Sequence, residues 1–365
     1  MVHALIMAGG IGSRFWPKSR IAKPKQFLTF FDNKSLLQTT IDRIRPIIPI
    51  DRVIVSTNAD YVDLVKKQIP DLPHENIIGE PVARNTGPCI AFAASLIHYR
   101  DPDATLIVLP SDHFIQKNDA YLNDLKDSIA FCRNNNMLIT IGIIPTRPET
   151  GYGYIQYNDD QPVSIEGATA FPVKTFAEKP DIQTALKFLH SGDFLWNSGM
   201  FIWNTSDILK EIETHLPVLY HQVAILAKDL QASNGEMRKE ALESVYHSCF
   251  PVSIDYGIME KSNNVLVVPS HFSWSDLGSW MAIYELHIDE ADEQSNIIKS
   301  DNVLSIQSQN CYVDSSGNKI IALVGLSGIG VIETDDALLL CKLDNSQNVK
   351  DIYEQLKGDE LEKYR

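Results

Sequence analysis

The densest chemistry in the sequence lies near its start. An apolar run at 5–8 breaks into Gly9-Gly10-Ile11-Gly12-Ser13-Arg14. Glycines admit positive φ and let an anion approach main-chain N–H groups closely. A helix after the turn would add its positive end. No Gly-Lys-Ser/Thr follows, so this is not a Walker A loop, and Phe15 stands where a third glycine would complete a dinucleotide fingerprint. Taken alone, the run is more often a plain turn than a phosphate loop. Arg14 lies inside it, however, and Lys18, Lys23 and Lys25 follow closely, in a chain with 32 Lys and Arg against 47 Asp and Glu and a net charge of −15. A basic cluster beside a glycine turn in an acidic chain asks for an anionic ligand, although solvated surface lysines are the plainer alternative. A polyphosphate fits the cluster, because a departing pyrophosphate needs fixed positive charge.

Two carboxylates stand in settings suited to a divalent cation. Asp112 follows an apolar run at 106–109 and Pro110-Ser111; Asp276 lies in Trp274-Ser275-Asp276-Leu277-Gly278. Mg²⁺ takes few protein ligands and fills its octahedron with waters and phosphate oxygens, so two aspartates suffice. Either aspartate would also serve as a turn or cap residue. His113 has no second histidine at ligand spacing and reads as a packed neighbour.

A third group suits sugar-phosphate recognition: Gly151-Tyr152-Gly153-Tyr154, Glu178-Lys179-Pro180 and Trp196-Asn197-Ser198-Gly199. Glu and Asn bind hydroxyls directionally and Lys binds phosphate as a point charge. Consecutive side chains on a strand point to opposite faces, so Glu178 and Lys179 share a ligand only at a bend, which Pro180 could supply. A surface ion pair and a simple turn are the alternatives. Glu80-Pro81 and Arg84-Asn85-Thr86-Gly87-Pro88 read as a helix entry, with Asn85 or Thr86 as cap and Pro88 in the first turn.

The elements that must position these residues alternate. Strand-like runs at 5–8, 53–56, 106–109 and 138–144 are interleaved with helical spacing at 36–48, 62–69, 90–99 and 120–134. That order predicts α/β architecture with a mostly parallel sheet, whose ligands gather at the carboxyl ends of strands. Residues 150–285 mix strands, helices and aromatic clusters. Near 290–300 the composition turns polar, and 303–343 holds short β-branched runs before a helical stretch at 349–361. The expected division is 1–290 for the main domain and 291–365 for a small β tail, the alternative for the tail being an edge of the main sheet.

Composition excludes other classes. Hydrophobic residues make up 44% and charged residues 22% of 365, an ordinary globular balance. No apolar run reaches the roughly 18–20 residues of a membrane span, and the amino terminus lacks the basic n-region of a signal peptide. The net negative charge disfavours nucleic acid. Five scattered cysteines without a CxxC pair suggest neither a disulfide framework nor zinc, and fit a reduced, cytoplasmic protein.

The combined run Met7-Ala8-Gly9-Gly10-x-Gly12-Ser13-Arg14-x-Trp16-Pro17 with Lys23-Pro24-Lys25-Gln26-Phe27 resembles the signature of the sugar-1-phosphate nucleotidyltransferases. Its wording is nearest the bacterial mannose-1-phosphate guanylyltransferases, over roughly 1–290 and more loosely in the tail. The resemblance implies a Rossmann-like mixed sheet flanked by helices, of the glycosyltransferase-A type, with a small C-terminal β-helix-like extension. It implies transfer of GMP from GTP to mannose 1-phosphate, assisted by Mg²⁺ on Asp112 and Asp276, with Arg14 and Lys25 acting on the phosphates. Ala8, Gly9, Gly10, Gly12, Ser13, Glu80, Asn85, Thr86 and Ser111 would hold the nucleotide. The Glu-Pro…Arg-Asn-Thr segment would choose guanine. Gly153, Glu178 and Asn197 would contact the sugar and Lys179 its phosphate, with Asp255 of Ser253-Ile254-Asp255-Tyr256-Gly257 nearby. Another hexose 1-phosphate or another nucleotide is the near alternative; a non-catalytic nucleotide-binding regulatory subunit is the distant one. The tail of shorter relatives often makes subunit contacts, so a homodimer is expected. Longer relatives carry a C-terminal isomerase domain of the cupin type; with the sequence ending at Arg365 and no histidine cluster in the tail, that second activity is not expected.

Overall fold

The strand Val2–Ala8 is buried along most of its length, as a strand covered on both faces must be. It pairs in parallel with Val53–Asn58, Ile6 facing Val55, and with Thr105–Pro110, Ile6 facing Leu109. In the computed structural model, which describes residues 1–365 apart from 32, 166, 236 and 359, two compact units form. The first comprises Met1–Gly9, Thr40–Ser111 and Ile115–Trp274; the second comprises Gly10–Thr39, Asp112–Phe114 and Ser275–Arg365.

The first unit is built on one sheet. Its order is Ile77–Glu80, Val53–Asn58, Val2–Ala8, Thr105–Pro110, Phe194–Asn204, Leu138–Ile143, Val265–Pro269, Ala168–Glu178 and Gly153–Tyr157. The first four strands are parallel. Phe194–Asn204 then runs antiparallel to Thr105–Pro110, to Leu138–Ile143 and to Gly153–Tyr157, and Val265–Pro269 is parallel to Leu138–Ile143. The helix Thr86–Arg100 is buried through most of its turns, and Phe92, Leu96, Trp203, Leu226 and Tyr246 join one apolar core with it. Helical spacing at 36–48 yields a helix only over Leu36–Ile44, because Pro46 has no N–H to continue the ladder. The helix expected over 90–99 begins earlier, at Thr86, where Asn85 caps it.

The second unit joins the tail to the segment after Gly9. Ile297–Lys299, Tyr312–Ser315 and Ile329–Glu333 stack in parallel, and Leu338–Lys342 closes that sheet antiparallel. Val303–Ile306 and Ile321–Val324 form a second parallel pair. These are the short coils of a β-helix-like module with sheets of its own, not an edge of the main sheet. Phe15 and Trp16 are buried in one cluster with Leu277, Trp280, Tyr312, Ile332, Val349 and Tyr353, so the residues after the glycine run pack into the tail's own core. Among the described residues no helix is long and apolar enough to cross a membrane.

Candidate active site

A cleft of about 340 Å³ opens in the second unit and is lined by Gly12, Ser13, Arg14, Phe15, Lys25, Asp112, His113, Asp276, Leu277, Gly278 and Lys350. Arg14, Lys25, Asp112 and Asp276, scattered along the sequence, thus face one space.

The glycine run reaches this cleft through a turn, not a helix. Only the three-residue 3₁₀ turn Ser13–Phe15 follows it, so the helix end expected after the glycine run is missing. Gly12 has φ 75°, and a Cβ there would collide with Cβ of Lys25; both reasons require glycine. A Cβ at Gly9 or at Gly10 would meet no protein atom within 4 Å.

Lys25 is buried at 5% exposure. Its ammonium donates to Asp112 Oδ2 at 2.8 Å and to the main-chain carbonyl of Asp276 at 2.6 Å, and it lies 5.5 Å from the Phe15 ring centroid. Burial alone would raise the Asp112 carboxyl; the Lys25 ammonium and His113 outweigh it and hold that carboxyl below the usual range. Asp112 is therefore ionised and aimed at cations. Arg14 makes no ion pair among the described residues. Lys18 is instead tied to Asp314 at 2.5 Å, and Lys23 does not line the cleft.

Asp276 is presented by a strained turn. Leu277 has φ 50°, which a branched residue tolerates only when packing holds it there, and its side chain is fully buried in the Trp280 cluster. A Cβ on Gly278 would lie 3.0 Å from the Asp276 carboxylate oxygens. The cap alternative for Asp276 fails, because the next helix starts at Trp280 behind Ser279. Two carboxylates in one cleft are a donor set suited to Mg²⁺, which brings its own phosphate and water ligands. Among the described residues no group of three or more His, Cys, Asp and Glu is arranged to hold a metal.

The first unit gathers the second set of residues. Gly153 pairs with Glu178 across two antiparallel strands, and a Cβ at Gly153 would stand 2.6 Å from Glu178 Oε2 and 3.4 Å from Asn197 Cβ. Asn197 Nδ2 donates to Asp255 Oδ1 at 2.6 Å, while its own oxygen accepts from Gly199 N at 3.1 Å. The bend needed at Glu178-Lys179 comes from Lys179 itself, at φ 46°, and its ammonium then reaches Glu178 Oε1 at 2.5 Å. Asp255 opens the five-residue π-turn Asp255–Met259, a geometry often found at functional sites. Burial raises its carboxyl, the Asn197 bond opposing and the Glu178 charge adding. Tyr152 stands edge-on to Trp196 and to Trp274 at 5.2 and 5.3 Å, an aromatic wall that the sequence motif contained without marking.

The segment expected to read the base is laced to the one that carries Asp255. Gly87 N donates to Val252 O at 2.9 Å and Val252 N to Arg84 O at 3.2 Å; the Thr86 hydroxyl accepts from Ile254 N at 2.9 Å. Asn85, at φ 69°, caps the helix by accepting from Thr86 N at 2.8 Å. Glu80 turns inward: Ser56 Oγ donates to it at 2.7 Å, and burial raises its carboxyl. Ala8 and Ser111 are buried, the Ala8 carbonyl accepting from Thr57 Oγ1 at 2.8 Å and Ser111 N donating to Met7 O at 3.0 Å. Lys350 and Tyr152 were not singled out by sequence; Lys350 has no local motif, since only packing of the tail brings it to the cleft.

Comparison with known proteins bears on these sites. Residues 3–293 match the family described as "Nucleotidyl transferase", and residues 301–356 match "MannoseP isomerase/GMP-like beta-helix domain". A mannose-1-phosphate guanylyltransferase of Salmonella montevideo is 36% identical, covering 98% of this chain and 74% of that protein. One from Klebsiella pneumoniae is 36% identical, covering 100% of this chain and 76% of its own length. A crystal structure from Thermus thermophilus, described as a mannose-1-phosphate geranyltransferase, superposes with a TM-score of 0.84 at 29% identity, covering 98% of this chain and 99% of that one.

Proposed function

Because the chain belongs to the nucleotidyl transferase family, we propose that it transfers GMP from GTP to α-D-mannose 1-phosphate, releasing pyrophosphate and forming GDP-mannose. The observation that carries this reading is the convergence of Gly12, Arg14, Lys25, Asp112 and Asp276 on one cleft. The names of the full-length relatives support the choice of substrates.

The sugar phosphate is already an anionic nucleophile, so its attack on the α-phosphate needs no strong base. The bond from the α-phosphorus to the bridging oxygen breaks as the new P–O bond forms, and pyrophosphate leaves with the electron pair. Positioning and charge neutralisation supply the catalysis. Arg14 meets the phosphates, and Lys25 neutralises charge while holding Asp112 in place. Asp112 and Asp276 would hold Mg²⁺, which when bound supplies positive charge to the phosphate oxygens. On the sugar side Glu178, Asn197 and Asp255 would take hydroxyls and Lys179 the phosphate, with Gly153 leaving the room. The loop from Glu80 to Asn85 would choose guanine, whose N1–H and N2–H₂ donors uracil and thymine lack, while Thr86 holds the segment that carries Asp255.

Five cysteines without a disulfide support a reduced, cytoplasmic setting. The paired strands Val303–Ile306 and Ile321–Val324 expose Leu304, Ile306 and Val324 at 62–64%, which supports a homodimer through the tail; a monomer mass by light scattering at micromolar concentration would remove the dimer. The activity is tested by pyrophosphate release with four nucleoside triphosphates and several hexose 1-phosphates, with and without Mg²⁺. GTP with mannose 1-phosphate should give the highest kcat/KM and GDP-mannose as product. Tight GTP binding without turnover on any acceptor would instead favour a regulatory subunit.

A further inference from the structure

We infer that Lys350, from the tail, is a phosphate-binding residue of the catalytic cleft, so that the β tail completes the active site in addition to any part in assembly. The inference rests on the nucleotidyl transferase reading above and deepens it.

Lys350 lines the same cleft as Arg14, Lys25, Asp112 and Asp276. It is carried by the helix Val349–Gln355. On either side of it Val349 and Tyr353 are buried at 3% and 1%, in the cluster that also holds Phe15 and Trp16. The helix is thereby seated on the turn that carries Arg14, and the backbone of Lys350 is fixed while its ammonium stays exposed. Its position in the cleft follows from core packing.

The charges explain what it would do. The Lys25 ammonium is already committed to Asp112 and to the Asp276 carbonyl. Arg14 and Lys350 make no ion pair among the described residues, and so remain available to an incoming anion. The cleft holds Arg14, Lys25 and Lys350 against Asp112 and Asp276. With Lys350 it is net positive inside a chain of net charge −15; without it the basic and acidic side chains would only balance. A triphosphate, and the pyrophosphate that leaves from it, is the class of ligand such a cleft recognises. Lys on a flexible stem follows a moving phosphate well, as a point charge.

The test uses the full chain, with Lys350→Ala, Lys350→Arg and, as control, Lys342→Ala, an exposed tail lysine that does not line the cleft. Steady-state kinetics with GTP and mannose 1-phosphate is paired with calorimetric titration of pyrophosphate. Losing a charged contact predicts about a tenfold fall in kcat/KM for GTP and a similar weakening of pyrophosphate binding in Lys350→Ala. KM for mannose 1-phosphate should stay near the wild-type value, Lys350→Arg should retain most activity, and Lys342→Ala should behave as wild type. Wild-type kinetics and unchanged pyrophosphate affinity in Lys350→Ala would overturn the inference, as would an equal loss in Lys342→Ala. If the wild-type chain fails to join GTP to mannose 1-phosphate, the substrate reading falls; pyrophosphate titration then decides Lys350 by itself, unchanged affinity in Lys350→Ala refuting it.

Discussion

The Lys25 ammonium donates to Asp112 Oδ2 across 2.8 Å and, with another proton, to the Asp276 carbonyl at 2.6 Å. One buried cation therefore ties together the two stretches that present the acidic pair. Lys25→Ala should lower kcat by roughly 10²–10³, the range for deleting a fixed group that meets transition-state charge. It should also lower stability by about 1–2 kcal/mol, less than a fully buried pair would lose, because the Asp112 side chain is 34% exposed. Kinetics and thermal melts check both; unchanged turnover would detach Lys25 from the chemistry.

Asp112→Asn and Asp276→Asn each keep shape and remove one negative charge. Each should shift the Mg²⁺ concentration for half-maximal activity upward by about tenfold or more, since the ion loses one of few protein ligands. Titration of activity with Mg²⁺ decides this, and identical curves for wild type and both variants would move the ion elsewhere.

Thr86 is better placed to position Asp255 than to grip a base, because its hydroxyl holds Ile254 N at 2.9 Å. Thr86→Val keeps the volume and loses the acceptor. KM for mannose 1-phosphate should rise about three- to tenfold, in line with one lost hydrogen bond, with KM for GTP little changed and Thr86→Ser restoring the wild-type value. A rise in KM for GTP alone would return Thr86 to the nucleotide side.

Asp255 gives a pH signature. Burial raises its carboxyl above the ordinary aspartate value, so the folded chain holds that proton more tightly than the unfolded chain does. The ionised group then costs stability above its folded pKa, and this cost fades as pH falls toward the unfolded value. Asp255→Asn should raise the melting temperature at about pH 7–8 and leave it nearly unchanged near about pH 4, while weakening mannose 1-phosphate binding. Equal shifts at both pH values would contradict this sign.

Much of the first unit was legible in the sequence because its strands are short apolar runs separated by helical spacing, and burial on both faces produces that pattern. The glycine run announced Gly12, whose φ and closeness to Lys25 no other residue fits. Other features were hidden for physical reasons. Nothing local in Leu277 signals a left-handed backbone, since the buried cluster around Trp280 imposes it. Phe15 and Trp16, which the sequence shows only as part of the glycine motif, are drawn into the tail's core. Nothing local at Glu80 marks its bond to Ser56, a partner on a neighbouring strand and 24 residues away. The grouping of Asp112 with Asp276 is likewise a tertiary fact, reached from sequence only through the family pattern.

The most direct test of the central claim, that this one cleft carries out nucleotidyl transfer, is pyrophosphate release from GTP and mannose 1-phosphate by wild type and by Arg14→Ala. Arg14 is partly exposed and makes no ion pair among the described residues, so the variant should fold and melt like the wild type. The account predicts turnover by the wild type and a loss of about 10²-fold or more in kcat for Arg14→Ala. Equal turnover by the two proteins would contradict it.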